Sequence, residues 1–500
     1  MSLLTILSIV PVLGGLALYL VPKNDSKKIR SVALAISLIE TAISIWVAIS
    51  FHSGNSGYQF VESHSWIKFI HINYAVGVDG LSLILVLMTT LLTPIVILAS
   101  WKEGEGGRFS ITTYYFLILM LESFGVAIFS ATDIFYFYIL FEVMLVPVYF
   151  LIAGFGHGER VAAATKFLLY GLFGGLVMLV ALIGLFYEGI NHGVVSFDIN
   201  QLSQIAIPST VQNLLFLGFF LAFAIKAPLW PFHTWLPAVA KTATPSTSIM
   251  LLGILDKVGT YGALRFCLQL FPHASKTFSF TISIFAIISI IYGAFAAIAQ
   301  KEIPVLVGWT SISHFGFIIL GIFAFTSQGV TGSSFYMFNH AFTTAALFIL
   351  GGWLTSRRGT SAINEFGGLQ RVTPVLGWML FIAGLSGLAL PGLSSFVSEF
   401  LVLIGTFTVH PILAIIGTTA IILAALYILL MIQKAVHGEL RSENSNISDL
   451  NLREKIVMVP VIVAIVFFGF YPKPILHTLN SSTTSVLSHV VNADPAPKAR

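Results

Sequence analysis

Lys226 combines a charged side chain with strongly apolar surroundings, because it lies within the stretch "LAFAIKAPLWPFHTWLP". It stands about midway between Gln212 and Lys241, so at roughly 1.5 Å per helical residue neither membrane interface is within easy reach of its ammonium group. A charge in mid-membrane costs at least about 2.5–3.5 kcal/mol unless it is paired or hydrated. The sequence therefore favours a functional role inside a helix bundle, with a structural ion pair as the alternative.

Prolines interrupt the helix beside this lysine. Pro228 and Pro231 lack amide donors and clash with the preceding turn, so they free carbonyls that survive in a membrane only beside water or polar groups. The stretch "SGLALPGLSSFVSEFLV" repeats the interruption at Pro391 and Gly392 and places Glu399 two turns later. Transporters build ion sites from discontinuous helices of this kind, next to a buried charge.

Further titratable side chains lie deep in apolar runs, and we predict that they form a proton path with Lys226: Glu142, Lys257, His314, His340 and Glu399. Asp256 precedes Lys257, but adjacent helical residues point about 100° apart, so it need not be the direct partner of that lysine. Glu40 and Glu122 also fall within apolar runs and rank below the others.

The two histidines lie on consecutive runs, between the buried lysines and the second broken helix. A single buried histidine is more often a hydrogen-bonded structural residue, whereas two in this position favour a proton relay, to which an unperturbed imidazole pKa of about 6.5 is suited. Neither His314 nor His340 has a second ligand at helical i+3 or i+4, so the sequence predicts no metal site there.

Composition predicts the fold class, an all-α polytopic membrane protein. Hydrophobic residues make up 57% of the chain and charged residues 9%, against roughly a quarter charged in soluble proteins. We predict about fourteen spans of roughly 20 residues; they are 2–21, 31–51, 81–100, 112–130, 134–155, 167–187, 211–240, 246–268, 279–299, 303–325, 331–354, 373–407, 411–433 and 456–472. The seventh and twelfth are too long for one straight helix.

Charge and cysteine content limit the partners. Alternate loops carry 17 of the 25 Lys and Arg residues, so the positive-inside bias predicts that both termini face away from the cytoplasm. The net charge of +4 needs no nucleic acid to explain it. Cys267 is the only cysteine, whereas a cysteine-ligated iron–sulfur cluster needs about four thiolates. No nucleotide-binding glycine loop is present either, so we expect no cofactor in this chain.

Five stretches carry a family resemblance: "INYAVGVDGLSLILVLMTTLLTPIVILASW", "YFYILFEVMLVPVYFLI", "LAFAIKAPLWPFHTWLP", "DKVGTYGALRFCLQLFP" and "LALPGLSSFVSEFL". Together they resemble the antiporter-like membrane subunits of NADH-quinone oxidoreductase, respiratory complex I, over roughly residues 75 to 440. Glutamate at position 399, where relatives carry lysine, favours the subunit M branch over subunits L and N and over Mrp sodium/proton antiporters. The stretch "AVAKTATPSTS" departs from the family because it lacks acid and histidine.

The resemblance implies two inverted five-helix repeats and a division into 1–111 (helices 1–3), 112–268 (first repeat), 279–433 (second repeat) and 434–500 (last helix and tail). It also implies that the six candidates lie on the family's proton path. The partners would be L- and N-type and smaller membrane subunits in a bacterial inner membrane. FMN, iron–sulfur clusters and a quinone would be bound by other subunits.

Alternative functions stay open at this stage. An Mrp-type cation/proton antiporter would need no redox partner, and ferredoxin-driven or hydrogenase-linked complexes share most of these motifs. A membrane scaffold is a third possibility, but it leaves the mid-membrane charges without a role.

Overall fold

Long apolar runs fold as helices because the bilayer core offers no hydrogen-bond partner to an unpaired backbone. The computed structural model describes residues 3–494, and 11 of its helices are long and apolar enough to cross a membrane. The chain is therefore an integral multi-pass membrane protein, as its composition predicts.

The first half of the chain contains the first of the two predicted helix breaks. Its helices are α1 (Leu3–Ala17), α2 (Ser26–Ser50), α3 (Gly80–Ala99), α4 (Ile111–Ser130), α5 (Ile134–Val143), α6 (Leu145–Phe155), α7 (Arg160–Asn191), α8 (Ile199–Leu202), α9 (Ser209–Lys226), α10 (Trp235–Thr242), α11 (Pro245–Ile249), α12 (Lys257–Gly262) and α13 (Leu268–Leu270). The predicted break of the seventh span is confirmed, since α9 ends at Lys226 and α10 begins at Trp235.

The second half repeats the mixture of long and broken helices. It contains α14 (Pro272–Ile298), α15 (Ile303–Ile322), α16 (Ser327–Arg358), α17 (Leu369–Val372), α18 (Pro374–Gly387), α19 (Ser394–Val409), α20 (Pro411–Ala435), α21 (Leu452–Phe470) and α22 (Lys473–Ser488). The predicted break of the twelfth span is also confirmed, because α18 and α19 flank the Pro391–Gly392 interruption.

Besides the broken seventh span, three other predicted spans are not single straight helices. Span 246–268 contains two π-helical segments, Met250–Leu255 and Ala263–Cys267, which the sequence did not indicate. Span 373–407 is divided into α18 and α19, and span 456–472 continues into α22 through a bend of 70°. The other predicted spans each correspond to one of the 11 apolar helices or helix pairs, while the count of fourteen and the two inverted repeats stay predictions.

A small sheet lies between α2 and α3, where an all-helical prediction has none. Strands β1 (Gln59–Ile67) and β2 (Ile72–Val78) pair antiparallel, with His64 opposite Tyr74. Asp79 follows β2 and caps α3 by accepting a hydrogen bond from the Ser82 amide at 2.9 Å. The same carboxylate pairs with Arg265 at 2.5 Å, so the hairpin is tied to the bundle interior.

Burial differs strongly among the helices. In the membrane-spanning stretches of α15 and α16, 94% of the residues are buried, whereas in that of α2 only 28% are buried. Side chains on α15 and α16 therefore pack against protein on all sides, and a charged or polar group placed there needs a protein partner or enclosed water. His314 lies on α15 and His340 on α16.

Candidate functional site

The break after α9 places Lys226 at a helix end inside the bundle. Without amides at Pro228 and Pro231 the last carbonyls of α9 lose helical partners, and the Ile225 carbonyl instead accepts a hydrogen bond from the Trp235 indole at 3.0 Å. Lys226 is 2% exposed. Its ammonium donates to the Phe141 carbonyl at 3.2 Å and lies 4.3 Å from the centre of the Phe141 ring.

Glu142 is next to this lysine but forms no ion pair with it. α5 ends at Val143, one residue beyond Glu142, and the carboxylate lies against Gly175 of α7. The two charged groups interact electrostatically, yet their nitrogen and oxygen atoms are more than 4.0 Å apart. Glu142 and Lys226 are thus close enough to interact but are not in ion-pair contact.

Lys257 lies two residues after the π-helical segment Met250–Leu255 and is fully buried. Its ammonium donates to the Leu252 carbonyl within that segment and lies 2.7 Å from Nδ1 of His340. It also lies 4.8 Å from the centre of the Phe315 ring. π-helical turns often occur at functional sites because they expose a carbonyl and shift the following side chains. Here the shift directs the lysine toward α16.

A chain of aromatic and acidic groups continues from His340. The rings of His340 and His314 are 5.2 Å apart between centres, and those of His314 and Tyr336 are 5.7 Å apart. Tyr336 is one helical turn before His340, and its hydroxyl donates to Oε1 of Glu399 at 2.9 Å. Lys257, His340, His314, Tyr336 and Glu399 therefore form one continuous polar row through an otherwise apolar interior.

The second helix break is surrounded by hydroxyl and amide side chains. Asn339 donates to the Ser394 carbonyl at 3.0 Å, at the start of α19. The hydroxyls of Thr343 and Ser386 are 2.7 Å apart, and Ser395 is 3.3 Å from both. These groups supply the polar contacts that an interrupted helix requires in a membrane.

Comparison with known proteins identifies the family of this chain. A family model described as "NADH:quinone oxidoreductase/Mrp antiporter, TM" matches residues 131–424, and one described as "NADH-ubiquinone oxidoreductase chain 4, amino terminus" matches residues 29–129. NADH-quinone oxidoreductase subunit M of Mycobacterium tuberculosis is 41% identical over 527 aligned residues, covering 99% of this chain and 95% of the relative. The chain belongs to the NADH-quinone oxidoreductase subunit M family.

Solved structures place the subunit M family within a wider fold. A chain of respiratory complex I from Thermus thermophilus with bound NADH matches with a TM-score of 0.89 and 27% identity, covering 98% of this chain and 100% of that one. A chain of the Mrp complex from Dietzia matches with a TM-score of 0.83 but 19% identity, over 98% of this chain and 100% of that one. The fold is common to both, so the close subunit M relatives favour complex I over a free-standing antiporter.

The structure brings the six predicted residues of this subunit M chain into two groups. Glu142 and Lys226 lie together at the junction of α5, α7 and α9. The other four, Lys257, His314, His340 and Glu399, lie in the continuous row described above. No hydrogen bond joins Lys226 to Lys257, so the two groups are separated by a gap.

Two contributors are absent from the predicted set. Tyr336 joins the histidines to Glu399, and the only signal for it is a hydroxyl one turn before His340 within an apolar helix. The Phe141 carbonyl holds Lys226, and a backbone acceptor has no signature in side-chain type. Phe141 lies near the end of α5, and the contact between its carbonyl and Lys226 depends on how α5 packs against α9.

A large cavity is lined in part by basic loop residues. Its volume is about 1610 Å³, and Lys102, Lys241 and Arg357 contribute to its lining. Ser248 on α11 and Leu347 on α16 also line it. Leu347 lies seven residues after His340, two turns along the same face, so this part of the lining is roughly 10 Å from that histidine along the helix axis.

Burial shifts the pKa values of two residues that line the cavity in the direction of their neutral forms. Burial raises the pKa of Glu103, which accepts a hydrogen bond from the Ser246 amide at 3.2 Å. Burial also lowers the pKa of His157, and the Arg160 charge acts in the same direction while that of Glu302 opposes it.

Proposed function

We propose that this chain translocates protons as the subunit M of a membrane-bound NADH-quinone oxidoreductase. The path runs through Glu142, Lys226, Lys257, His340, His314 and Glu399, with Tyr336 as an added member. Membership of the subunit M family supports the complex, and the relatives, which are NADH-quinone oxidoreductase subunits, support the reaction. Quinone reduction takes place elsewhere in that complex and drives proton movement here.

The observation that carries this proposal is the row from Lys257 to Glu399. A lysine 2.7 Å from a histidine nitrogen has a route for its proton, provided that the histidine accepts at Nδ1. Lys257, His340, His314, Tyr336 and Glu399 follow one another in space, each in contact with the next, and no carboxylate lies within ion-pair distance of the lysine. A purely structural ion pair does not need such a row.

Opening and closing of the Glu142–Lys226 pair sets when the proton moves. At about 4 Å and an effective dielectric constant of about 20, the attraction of two unit charges is about 4 kcal/mol. Moving one charge against 100 mV costs about 2.3 kcal/mol, so the pair energy is of the right size to drive the transfer. When the carboxylate moves away, Lys226 releases its proton toward Lys257; the histidines then pass it to Glu399.

The redox centres belong to other subunits of the complex. Cys267 is the sole cysteine of this chain and is buried in the bundle, whereas cysteine-ligated clusters need about four thiolates. FMN, iron–sulfur clusters and the quinone are therefore placed outside this subunit, whose neighbours are L-type, N-type and smaller membrane subunits. The complex would lie in a bacterial inner membrane, and the distribution of Lys and Arg supports an orientation with both termini on the non-cytoplasmic side.

Proton pumping by the assembled complex in liposomes tests the proposal. Glu142→Gln and Lys226→Ala each leave the partner as an uncompensated charge in mid-membrane, so we expect most NADH-driven proton uptake to be lost. Native gels confirm assembly of each variant before the assay. Lys276→Ala, at an exposed helix start, serves as a charge-removal control. Wild-type proton uptake by both assembled variants would refute the proposed path.

A further inference from the structure

Asp256 is a buried charge for which the path described above has no role. It is 0% exposed, and neither carboxylate oxygen has a hydrogen-bond partner in the described residues 3–494. Buried polar groups nearly always find a partner, so an unpaired carboxylate in mid-membrane needs an explanation. Asp256 stands at the start of α12, where aspartate commonly caps a helix, but its side chain makes no capping bond.

Helix packing places Asp256 toward Lys226. Gly259 is three residues after Asp256, so the two share one face of α12. At Gly259 an added Cβ would lie 2.6 Å from the amide nitrogen of Ala227 and 2.7 Å from the Phe223 carbonyl. This face of α12 is therefore packed directly on the broken end of α9, immediately beside Lys226.

Electrostatics agree with that placement. The charges that act on Asp256 are those of Lys257 and Lys226, and Asp256 acts in turn on both lysines. The Lys257 ammonium is directed elsewhere, toward Leu252 and His340, and the Lys226 ammonium toward Phe141. Asp256 thus lies in the gap between the two groups of path residues and forms an ion pair with neither lysine.

We propose that Asp256 relays the proton from Lys226 to Lys257. An N–H bond of the Lys226 ammonium breaks, and its proton forms an O–H bond on the Asp256 carboxylate, which leaves a neutral amine and a neutral acid. The Lys257 ammonium first gives a proton to His340 and becomes a neutral amine; the O–H bond of Asp256 then breaks, and its proton passes to that amine, which restores the carboxylate. Both nitrogen–oxygen separations exceed 4.0 Å, so side-chain rotation or one bridging water closes each gap.

The inference rests on the proposed function, and its test uses the whole complex in liposomes. Asp256→Asn keeps the shape but cannot titrate, whereas Asp256→Glu titrates from a longer side chain. We expect Asp256→Asn to lose most proton uptake per NADH oxidised and Asp256→Glu to retain a large part. Glu122→Gln is the matched control, because Glu122 is also 0% exposed with two unpaired oxygens but lies on α4, away from the row. It should pump as the wild type does.

The outcomes separate this inference from the proposed function. If Asp256→Asn pumps normally while Lys226→Ala does not, Asp256 is not a relay and the path itself stands. If Lys226→Ala also pumps normally, the proposed function fails. Should Asp256→Asn not assemble, Asp256→Ser, with a smaller side chain that cannot titrate, replaces it in the same assay. Failure of both to assemble while Asp256→Glu assembles would assign Asp256 a structural role and overturn the relay.

Discussion

Gly175→Ala tests whether the position of the Glu142 carboxylate controls pumping without touching a titratable residue. Gly175 is buried on α7, and a Cβ built there would lie 1.5 Å from Oε1 of Glu142. Ordinary contact begins at about 3.4 Å, so the carboxylate has to move by about 1.9 Å, the difference between these distances. The displaced atoms are the far end of a flexible side chain, so we expect the helices to stay in place.

The size of the effect follows from the change in pair energy. At an effective dielectric constant of about 20, two unit charges attract by about 4 kcal/mol at ~4 Å and by about 2.8 kcal/mol at ~6 Å. If the carboxylate moves by about 2 Å away from Lys226, their attraction weakens by about 1.4 kcal/mol, roughly tenfold in the equilibrium between the closed and open pair. We expect a lower ratio of protons pumped to NADH oxidised.

The assay compares Gly175→Ala with Gly171→Ala in liposomes. Gly171 lies one turn earlier on the same helix, and its added Cβ would lie 2.8 Å from the apolar Leu145 side chain. Both variants add one methyl group to a crowded position on α7, but only the first displaces a charge. Equal proton-to-NADH ratios in the two assembled variants and the wild type would refute control by the carboxylate position.

Three further predictions concern other parts of the chain. Glu399→Gln should lose most pumping and Glu399→Asp retain a substantial part, because only the acid titrates; liposome assays showing the reverse order would assign Glu399 a structural role through its Tyr336 bond. Arg265→Met should destabilise the subunit by about 3–5 kcal/mol, seen as a lower melting temperature, because it leaves Asp79 buried without its partner. The purified subunit should show no flavin, haem or iron–sulfur absorbance, since Cys267 is its only thiol; a stoichiometric cofactor spectrum would contradict this.

Local features of the sequence were enough to predict much of the candidate site. Lys226 and Glu399 are recognisable because a charge inside a run of about 20 apolar residues has a high free-energy cost in the membrane. A charged residue at such a position is therefore a candidate functional residue. The two helix breaks follow from Pro228 and from the Pro391–Gly392 pair, since proline removes a donor wherever it stands. These properties belong to single residues and their immediate neighbours.

Contacts between distant segments could not be derived in that way. The Tyr336–Glu399 bond joins residues 63 positions apart, and the Lys257–His340 contact joins residues 83 apart. The hairpin β1–β2 and the π-helical segment before Lys257 are also set by packing, because their sequences carry no strong turn or break signal. Side-chain direction in these places depends on neighbouring helices.

The sequence by itself determined the membrane setting, the buried titratable residues and the two broken helices, because composition and proline chemistry act locally. Only the tertiary structure decided which of these residues meet. It separated Glu142 and Lys226 from the row that begins at Lys257, and it placed Asp256 between the two groups. The physical reason is that a helix fixes which residues share a face, whereas the packing of one helix on another fixes which faces come together.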